Sequence, residues 1–472
     1  MTQLRDDRAV SHSPARRTLE TVSELYERAT AFLRERCHAG GRLSEPLLTE
    51  NQQAAHGLAH LAIHLEAARQ LLDWADRLGA GPDTLERQIA DAWVARLAGS
   101  APGGVSLGVL ETVGPADLGW DREALATLEA PEIGSFVTES GGVAADQRIA
   151  TLVAQTGSAG RRGLDEAMQA VQAQFARFVD ERVVPIAHRV HRENGLVPLE
   201  LIRELADLGV FGLTVPEDYG GSGFGKLAMV IVTEELARGA IGVGSLGTRS
   251  EIAAELILNG GTEEQKRRWL PRLARAEVLP TAAFTEPNAG SDLASVQTRA
   301  VKVDGGWRIF GQKTWMTHGA RSDLMTLLAR TDPTQPGHRG LSMFVAPKQR
   351  GSDANPFPDE GISGGEIRVL GYRGMREYDV AFDGFFVPDD ALLGGVPGQG
   401  FRQLMATMEV ARIQTAARGV GVAQAALDEA LRYALARMQF GKPIIGFPRI
   451  WSKLARSAVL VQAARQLTFH AA

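Results

Sequence analysis

Thr281-Ala-Ala-Phe-Thr-Glu-Pro-Asn-Ala-Gly-Ser-Asp292, followed by Gly311-Gln-Lys-Thr-Trp-Met-Thr-His-Gly319, is the stretch on which the reading of this chain turns. Small residues at Ala282, Ala283, Ala289 and Gly290 let backbone approach a flat ligand closely. Thr285, Ser291 and Thr317 offer hydroxyls that donate or accept, and Trp315 offers a broad apolar face. Together these suit a flat ring with polar edges. Turns rich in Gly, Ser and Thr also join ordinary strands, so the chemistry of the stretch leaves that plainer reading open.

Around this stretch the residue pattern changes twice. From Leu164 to residue 276 apolar residues recur at helical spacing, and helices are expected at 164–192, 197–208, 225–239, 245–259 and 262–276. Thr262 with Gln265 has the form of a capping box. From Pro280 strands take over. Residues 300–303 and 307–310 around Gly305-Gly306 predict a hairpin, with further strands at 324–329, 341–346, 367–370 and 380–387. Loops are expected at 331–340 and 350–364. Helices return at 400–436 and 448–472. The order helices, strands, helices differs from the β-α alternation of a doubly wound sheet.

Ahead of this core, residues 18–37, 45–79 and 83–98 read as helices. The Gly/Ala/Ser/Pro-rich stretch 99–162 reads as a connector lying on the surface of the helical domain after it. The expected divisions are 1–98, an N-terminal helical extension; 99–162, the connector; 163–279, a helical domain; 280–395, a β-domain; and 396–472, a helical bundle. At 472 residues two to four domains are expected.

A net charge of −5 with scattered Lys and Arg does not suggest a nucleic-acid partner, and Lys266-Arg267-Arg268 reads as a solvated helix face. No run of about 18 apolar residues predicts a membrane span. The single cysteine, Cys37, forms no internal disulfide, and residues 1–17 lack an apolar leader, so a cytoplasmic location is expected. His56, His60 and His64 share one helical stripe, but no Cys or nearby carboxylate completes a metal set, so no metal is expected. Gly221-Ser-Gly-Phe-Gly225 follows no strand and reads as a helix-entry loop.

The two quoted motifs, in this order and spacing, resemble the signature of the acyl-CoA dehydrogenase family. Pro216-Glu-Asp-Tyr-Gly-Gly221 and Arg437-Met-Gln-Phe-Gly-Lys442 support the resemblance, which runs from about Leu164 to the end. It implies a mainly α fold: an α-helical domain, a central barrel-like β-domain and a C-terminal helical bundle, here with an N-terminal extension. It also implies FAD, an acyl-CoA substrate, electron-transferring flavoprotein as partner, and a homotetramer built as a dimer of dimers. Ala282, Ala283, Phe284, Thr285, Ser291, Trp315, Met316 and Thr317 would line the flavin, with the Thr317 hydroxyl near its N5. Arg437 of a neighbouring subunit would meet the FAD pyrophosphate, and Phe440 belongs to the same motif. Ser291, Glu409 and Arg412 would face the CoA ligand. Pro448 stands where relatives often carry Gln near the FAD.

The implied chemistry is removal of an α-proton by a carboxylate and of a β-hydride by the flavin. The resemblance puts the base, a Glu, beyond Ala472, where this chain stops amid a helical pattern. Ala411 occupies the alternative position some relatives use, and Glu409 projects from another side of the helix. No base is therefore expected within the chain.

Asn51-Gln-Gln-Ala-Ala-His-Gly-Leu-Ala-His60, Pro115-Ala-Asp-Leu-Gly119, Arg249-Ser-Glu-Ile-Ala-Ala-Glu255 and Gly364-Gly-Glu-Ile-Arg-Val-Leu-Gly-Tyr-Arg-Gly-Met375 are similar to the (2S)-methylsuccinyl-CoA dehydrogenase branch. That branch forms mesaconyl-CoA in the ethylmalonyl-CoA pathway. Its substrate carries a free carboxylate, which needs a cation if buried. Arg249, in the segment matching the distal acyl pocket, is the candidate. The alternatives are a dehydrogenase of another short or branched acyl-CoA, or a catalytically silent FAD- or CoA-binding subunit.

Overall fold

The computed structural model describes residues 13–472; residues 1–12, most of the segment read as lacking a leader, lie outside the described residues. The chain divides into two compact units, residues up to 164 with 424–471, and residues 165–423.

The first unit is helical. Its longer helices before residue 164 are α1 (Pro14–Cys37), α2 (Gln52–Arg77), α3 (Leu85–Ser100), α4 (Pro131–Gly141) and α5 (Val143–Thr156). Ser13 caps α1 by accepting from the Arg16 N–H, and Thr84 caps α3 likewise from Arg87. Leu65, Leu71, Trp74 and Ile89 are fully buried in one core with Ile149 and Val153. The buried Trp74 donates its indole N–H to the Arg161 carbonyl at 3.0 Å. The stretch expected to be a connector is thus largely helical. α4 packs on α3, and α5 on the C-terminal helix of the same unit, so the stretch belongs to this core and is no surface connector. Gly134, Gly141 and Gly142 cut these helices short and blur their apolar spacing.

The second unit opens with α6 (Glu166–Phe178), which passes through one π turn (Val179–Val183) into α7 (Val184–Arg192). Then come α8 (Leu199–Asp207), α9 (Gly225–Gly239), α10 (Ile241–Gly260) and α11 (Glu263–Ala274). The Thr262–Gln265 capping box is formed in both directions, at 3.1 and 3.2 Å.

Seven strands come next: β1 (Pro280–Ala283), β2 (Arg299–Val303), β3 (Gly306–Lys313), β4 (Leu324–Arg330), β5 (Leu341–Pro347), β6 (Ile362–Ile367) and β7 (Glu377–Pro388). The sheet order is β6-β7-β3-β2-β4-β1, with β5 also paired to β4. The 299–313 hairpin forms with Val303 opposite Gly306. β4 is buried on both faces: Met325 and Leu327 join the β-domain core, while Leu324 and Leu328 pack with Ile257, Leu270 and Leu404. That explains its unbroken apolar run.

One expected strand is displaced. Residues 368–370 lie outside β6, which spans 362–367 instead. This edge strand holds Gly364 and Gly365, so it carries little strand-forming composition to read.

The last helices are α12 (Gly400–Ala436), whose residues from Gln424 on belong to the first unit, and α13 (Pro448–Ala471). Among the described residues no helix is long and apolar enough to cross a membrane.

α12 approaches α9 through a glycine. A Cβ at Gly421 would lie 2.2 Å from the Glu234 carbonyl oxygen, whereas one at Gly419 would meet nothing within 4 Å. Gly421→Ala is expected to lower unfolding stability by about 1–3 kcal/mol. Gly419→Ala, which only removes a helix-interior glycine, is expected to raise it by roughly 0.5–1 kcal/mol. Denaturant unfolding of the two variants checks the opposite signs.

Candidate functional site

The two motifs that stand apart in sequence are fastened side by side. The Thr281 hydroxyl donates to the Thr317 carbonyl at 2.7 Å, and the Thr314 N–H donates to the Thr285 carbonyl at 2.9 Å. Between these ties the Lys313 ammonium donates to the Phe284 carbonyl and to Glu286 Oε1, each at 2.9 Å. Glu286 also accepts the N–H groups of Gln297 and Thr298 at 2.8 Å. Lys313 is fully buried. Burial pushes its ammonium down to about 8 even though Glu286 pulls it up. Burial raises the Glu286 carboxyl, but Lys313 and the hydrogen bonds hold it below its usual range.

At the end of β3 the chain turns sharply. Trp315 and His318 both adopt left-handed backbone, at φ 57° and 64°. Such φ values are uncommon for residues other than glycine and mark a turn held by its surroundings. The turn leaves the Trp315 indole 54% exposed while burying Met316 and Thr317.

Next to the turn lies a buried polar cluster. The Thr317 hydroxyl donates to Glu377 Oε2 at 2.9 Å. Burial pushes the Glu377 carboxyl up to about 7, against the opposing pull of Thr317, Arg249 and Arg418. His318 is pushed down to about 3 by burial and by Arg321, Arg350, Arg249 and Lys348. Apart from this cluster, Glu251 on α10 is raised to about 7 by burial, although it accepts the Thr214 hydroxyl at 2.5 Å.

Several buried polar atoms on these elements have no hydrogen-bond partner among the described residues. In the cluster they are Arg249 Nε, His318 Nε2 and Arg418 Nε; Thr248 Oγ1 and Glu251 Oε1 on α10 and Gln414 Oε1 on α12 are others. Buried polar groups are nearly always satisfied, so a concentration of orphans marks where a ligand completes the bonding. Donors and acceptors are both present, which fits a ligand carrying both, such as a flavin with its thioester substrate.

The expected site residues fall into three groups. Ala282 and Ala283 on β1, Phe284, Thr285, Trp315, Met316 and Thr317 are drawn together by the bonds just described. Arg249 reaches the polar cluster, half-buried. Ser291, Glu409 and Arg412 are not brought into it: Ser291 and Glu409 stand toward the surface, and Arg412 is an exposed position on α12. Arg437 and Phe440 belong to the first unit, at a two-residue hairpin pairing Met438–Gln439 with Lys442–Pro443. Phe440 is 92% exposed, and its ring lies 6.0 Å from that of Phe447.

Sequence reasoning missed Glu377, His318, Ser245, Tyr372 and Arg418. One signal was present for Arg418: it is the only charged residue between Arg412 and Asp428, in a stretch rich in Ala and Gly.

Comparison with known proteins matches three successive segments of the chain. Residues 165–277, 281–385 and 398–472 match the models for the acyl-CoA dehydrogenase N-terminal, middle and C-terminal domains. The (2S)-methylsuccinyl-CoA dehydrogenase of Cereibacter sphaeroides is 50% identical over 463 residues, 96% of this chain and 83% of that protein. The solved glutaryl-CoA dehydrogenase–glutaryl-CoA complex aligns at TM-score 0.61 with 36% identity, covering 65% of this chain and 76% of that one. The glutaryl-CoA dehydrogenase of Mycobacterium smegmatis in complex with FADH2 aligns at 0.59 with 28% identity, covering 65% and 75%.

Two outcomes are expected from this geometry. Lys313→Met leaves Glu286 buried without its cation and lowers stability by about 3–5 kcal/mol in denaturant unfolding. The second concerns pH. Glu377 and Glu251 have folded-state values raised to about 7, so between the usual carboxylate range and pH 7 the folded state holds more protons than the unfolded one. Stability therefore falls as pH rises through that window and levels above it. Glu377→Gln removes one of the two titrations. Thermal unfolding midpoints across the window should show a shallower decline than the unaltered protein, and an unchanged slope would contradict the assignment.

Proposed function

Because the chain belongs to the acyl-CoA dehydrogenase family, we propose that it is an FAD-dependent enzyme that oxidises (2S)-methylsuccinyl-CoA to mesaconyl-CoA. The observation that carries this reading is the span of the similarity. The match to the Cereibacter sphaeroides enzyme covers 96% of the chain, helical extension included. Other relatives match about two thirds of it, such as the 66% matched by the glutaryl-CoA dehydrogenase of Desulfococcus multivorans.

FAD, when bound, supplies the acceptor for the β-hydride. The chain's own part is to seat and orient. The small residues at 282 and 283 allow a flat ring to approach, and the exposed Trp315 indole offers it an apolar cover. The Thr317 hydroxyl, oriented by Glu377, stands at the turn as a polar contact for the ring edge. Arg249 meets the free carboxylate of the acyl group, a role consistent with its buried, unpaired Nε. Ser291, Glu409 and Arg412 face CoA. Arg437 and Phe440 serve the FAD of a neighbouring subunit in a homotetramer. Electrons leave to electron-transferring flavoprotein in the cytoplasm.

The purified protein is expected to be yellow and to release FAD on heating. In a chain that continues past Ala472, where the resemblance puts the base, adding (2S)-methylsuccinyl-CoA without oxygen should bleach the flavin, and a dye acceptor should restore it; residues 1–472 alone are expected to bleach a hundredfold or more slowly, on the order of the loss of a positioned base. Bleaching only by uncharged branched acyl-CoA would replace the substrate. Absence of bleaching by any acyl-CoA in that longer chain, despite bound FAD, would favour a silent binding subunit.

In an active chain that continues past Ala472, Arg249→Met is expected to lower kcat/KM for methylsuccinyl-CoA about a hundredfold, the range for truncating one partner of a buried charge pair. Oxidation of 2-methylbutyryl-CoA, which lacks the carboxylate, should be spared. An equal fall for both substrates would remove Arg249 from the acyl site.

A further inference from the structure

Arg418 is buried on α12, yet among the described residues no carboxylate holds it. Its Nη1 donates to the Ser245 hydroxyl and to the Tyr372 hydroxyl, each at 2.7 Å, and its Nη2 donates to the Thr415 hydroxyl at 2.8 Å. Ser245 and Tyr372 are hydrogen-bonded to one another as well. The guanidinium carbon lies 5.8 Å from the Tyr372 ring centroid. Nε has no partner among the described residues. Three neutral hydroxyls thus fix the guanidinium in place without neutralising it.

A buried, unneutralised guanidinium is costly, and structures normally answer it with a carboxylate or phosphate. Here the surroundings make the imbalance larger. Arg249, one helical turn after Ser245 on α10, adds a second positive charge close enough to act on Arg418. The acid acting on both is Glu377. Two guanidiniums thus share the influence of one carboxyl, and among the described residues each retains an Nε without a partner.

We propose that Arg418, held by Ser245 and Tyr372, is a second specificity-determining cation that receives the free carboxylate of the acyl group together with Arg249. The ligand class is an acyl thioester whose acyl chain ends in a carboxylate. The anion is the acyl carboxylate rather than a CoA phosphate, because the cluster is buried beside Thr317, at the turn assigned to the flavin, and not at the surface positions of Glu409 and Arg412 assigned to CoA. Guanidinium planes suit carboxylates, and hydroxyl clamping fixes the plane before the ligand arrives. The inference rests on the reading that the substrate carries a free carboxylate.

The test compares methylsuccinyl-CoA with 2-methylbutyryl-CoA for Arg418→Met, Arg418→Lys and Tyr372→Phe in FAD-loaded enzyme that continues past Ala472 through the segment expected to carry the base. The expected result is a fall of about a hundredfold or more in the preference for methylsuccinyl-CoA with Arg418→Met. Arg418→Lys should recover part of that preference. Tyr372→Phe keeps the ring and removes only one clamp, so it remains informative if Arg418→Met fails to fold. It should lower the preference about tenfold, mainly through KM. A preference unchanged in Tyr372→Phe and in whichever Arg418 variants fold, or an equal loss for both substrates, overturns the role. If the unaltered enzyme oxidises 2-methylbutyryl-CoA but no carboxylated acyl-CoA, the substrate reading fails instead, and the two failures are told apart.

Discussion

The buried ion pair between Lys313 and Glu286 is the tie on which the site depends. Lys313 ends one strand of the β-domain, and Glu286 lies just past another. Alone, either charge would be strongly unfavourable in that interior. Paired, and completed by the Phe284 carbonyl and the N–H groups of Gln297 and Thr298, they fasten the 281–286 segment to the 313–317 turn. The Thr281–Thr317 and Thr314–Thr285 bonds lie on either side. Trp315 can then occupy a left-handed conformation with its indole presented outward, since the residues around it leave the backbone no alternative.

Much of this was legible in the sequence because it rests on local rules. The Thr262–Gln265 box, the Gly305-Gly306 hairpin and the apolar run at 324–329 each carry their conformation in a few neighbouring residues. What escaped was set by tertiary contact. The helices at 131–156 contain glycines that weaken their pattern, and only burial of Ile133, Phe136, Ile149 and Val153 reveals them as packed elements. The strand at 362–367 forms by pairing with Glu377–Phe382, and its own composition does not announce it.

The site divided along the same line. Thr285, Trp315 and Thr317 sit in contiguous motifs and could be named in advance. Glu377, Ser245, Tyr372 and Arg418 come from a strand, a helix, a loop and another helix. No spacing along the chain joins them, so a polar cluster assembled from four distant segments has no linear signature. Arg249 was an intermediate case: the segment around it was recognisable, while its orphaned Nε became visible only in three dimensions.

The charge state of that cluster is its most informative property. Had stability alone shaped it, Arg249 and Arg418 would each sit against a carboxylate, as Lys313 does a few residues from the turn. Instead they share Glu377, whose carboxyl is itself pushed toward neutrality by burial. A pocket already saturated with ion pairs would have to break one before admitting an anion, and the ligand's gain would be offset by that loss. Hydroxyl partners avoid the conflict: they fix orientation and leave the positive field intact for a charge that arrives from outside. The same arrangement explains why the orphaned atoms gather on α10 and α12 beside the Thr317 turn. Instability concentrated in the unliganded cluster becomes selectivity once a carboxylate-bearing acyl group fills it, while an uncharged acyl group of equal size would leave both guanidiniums unanswered.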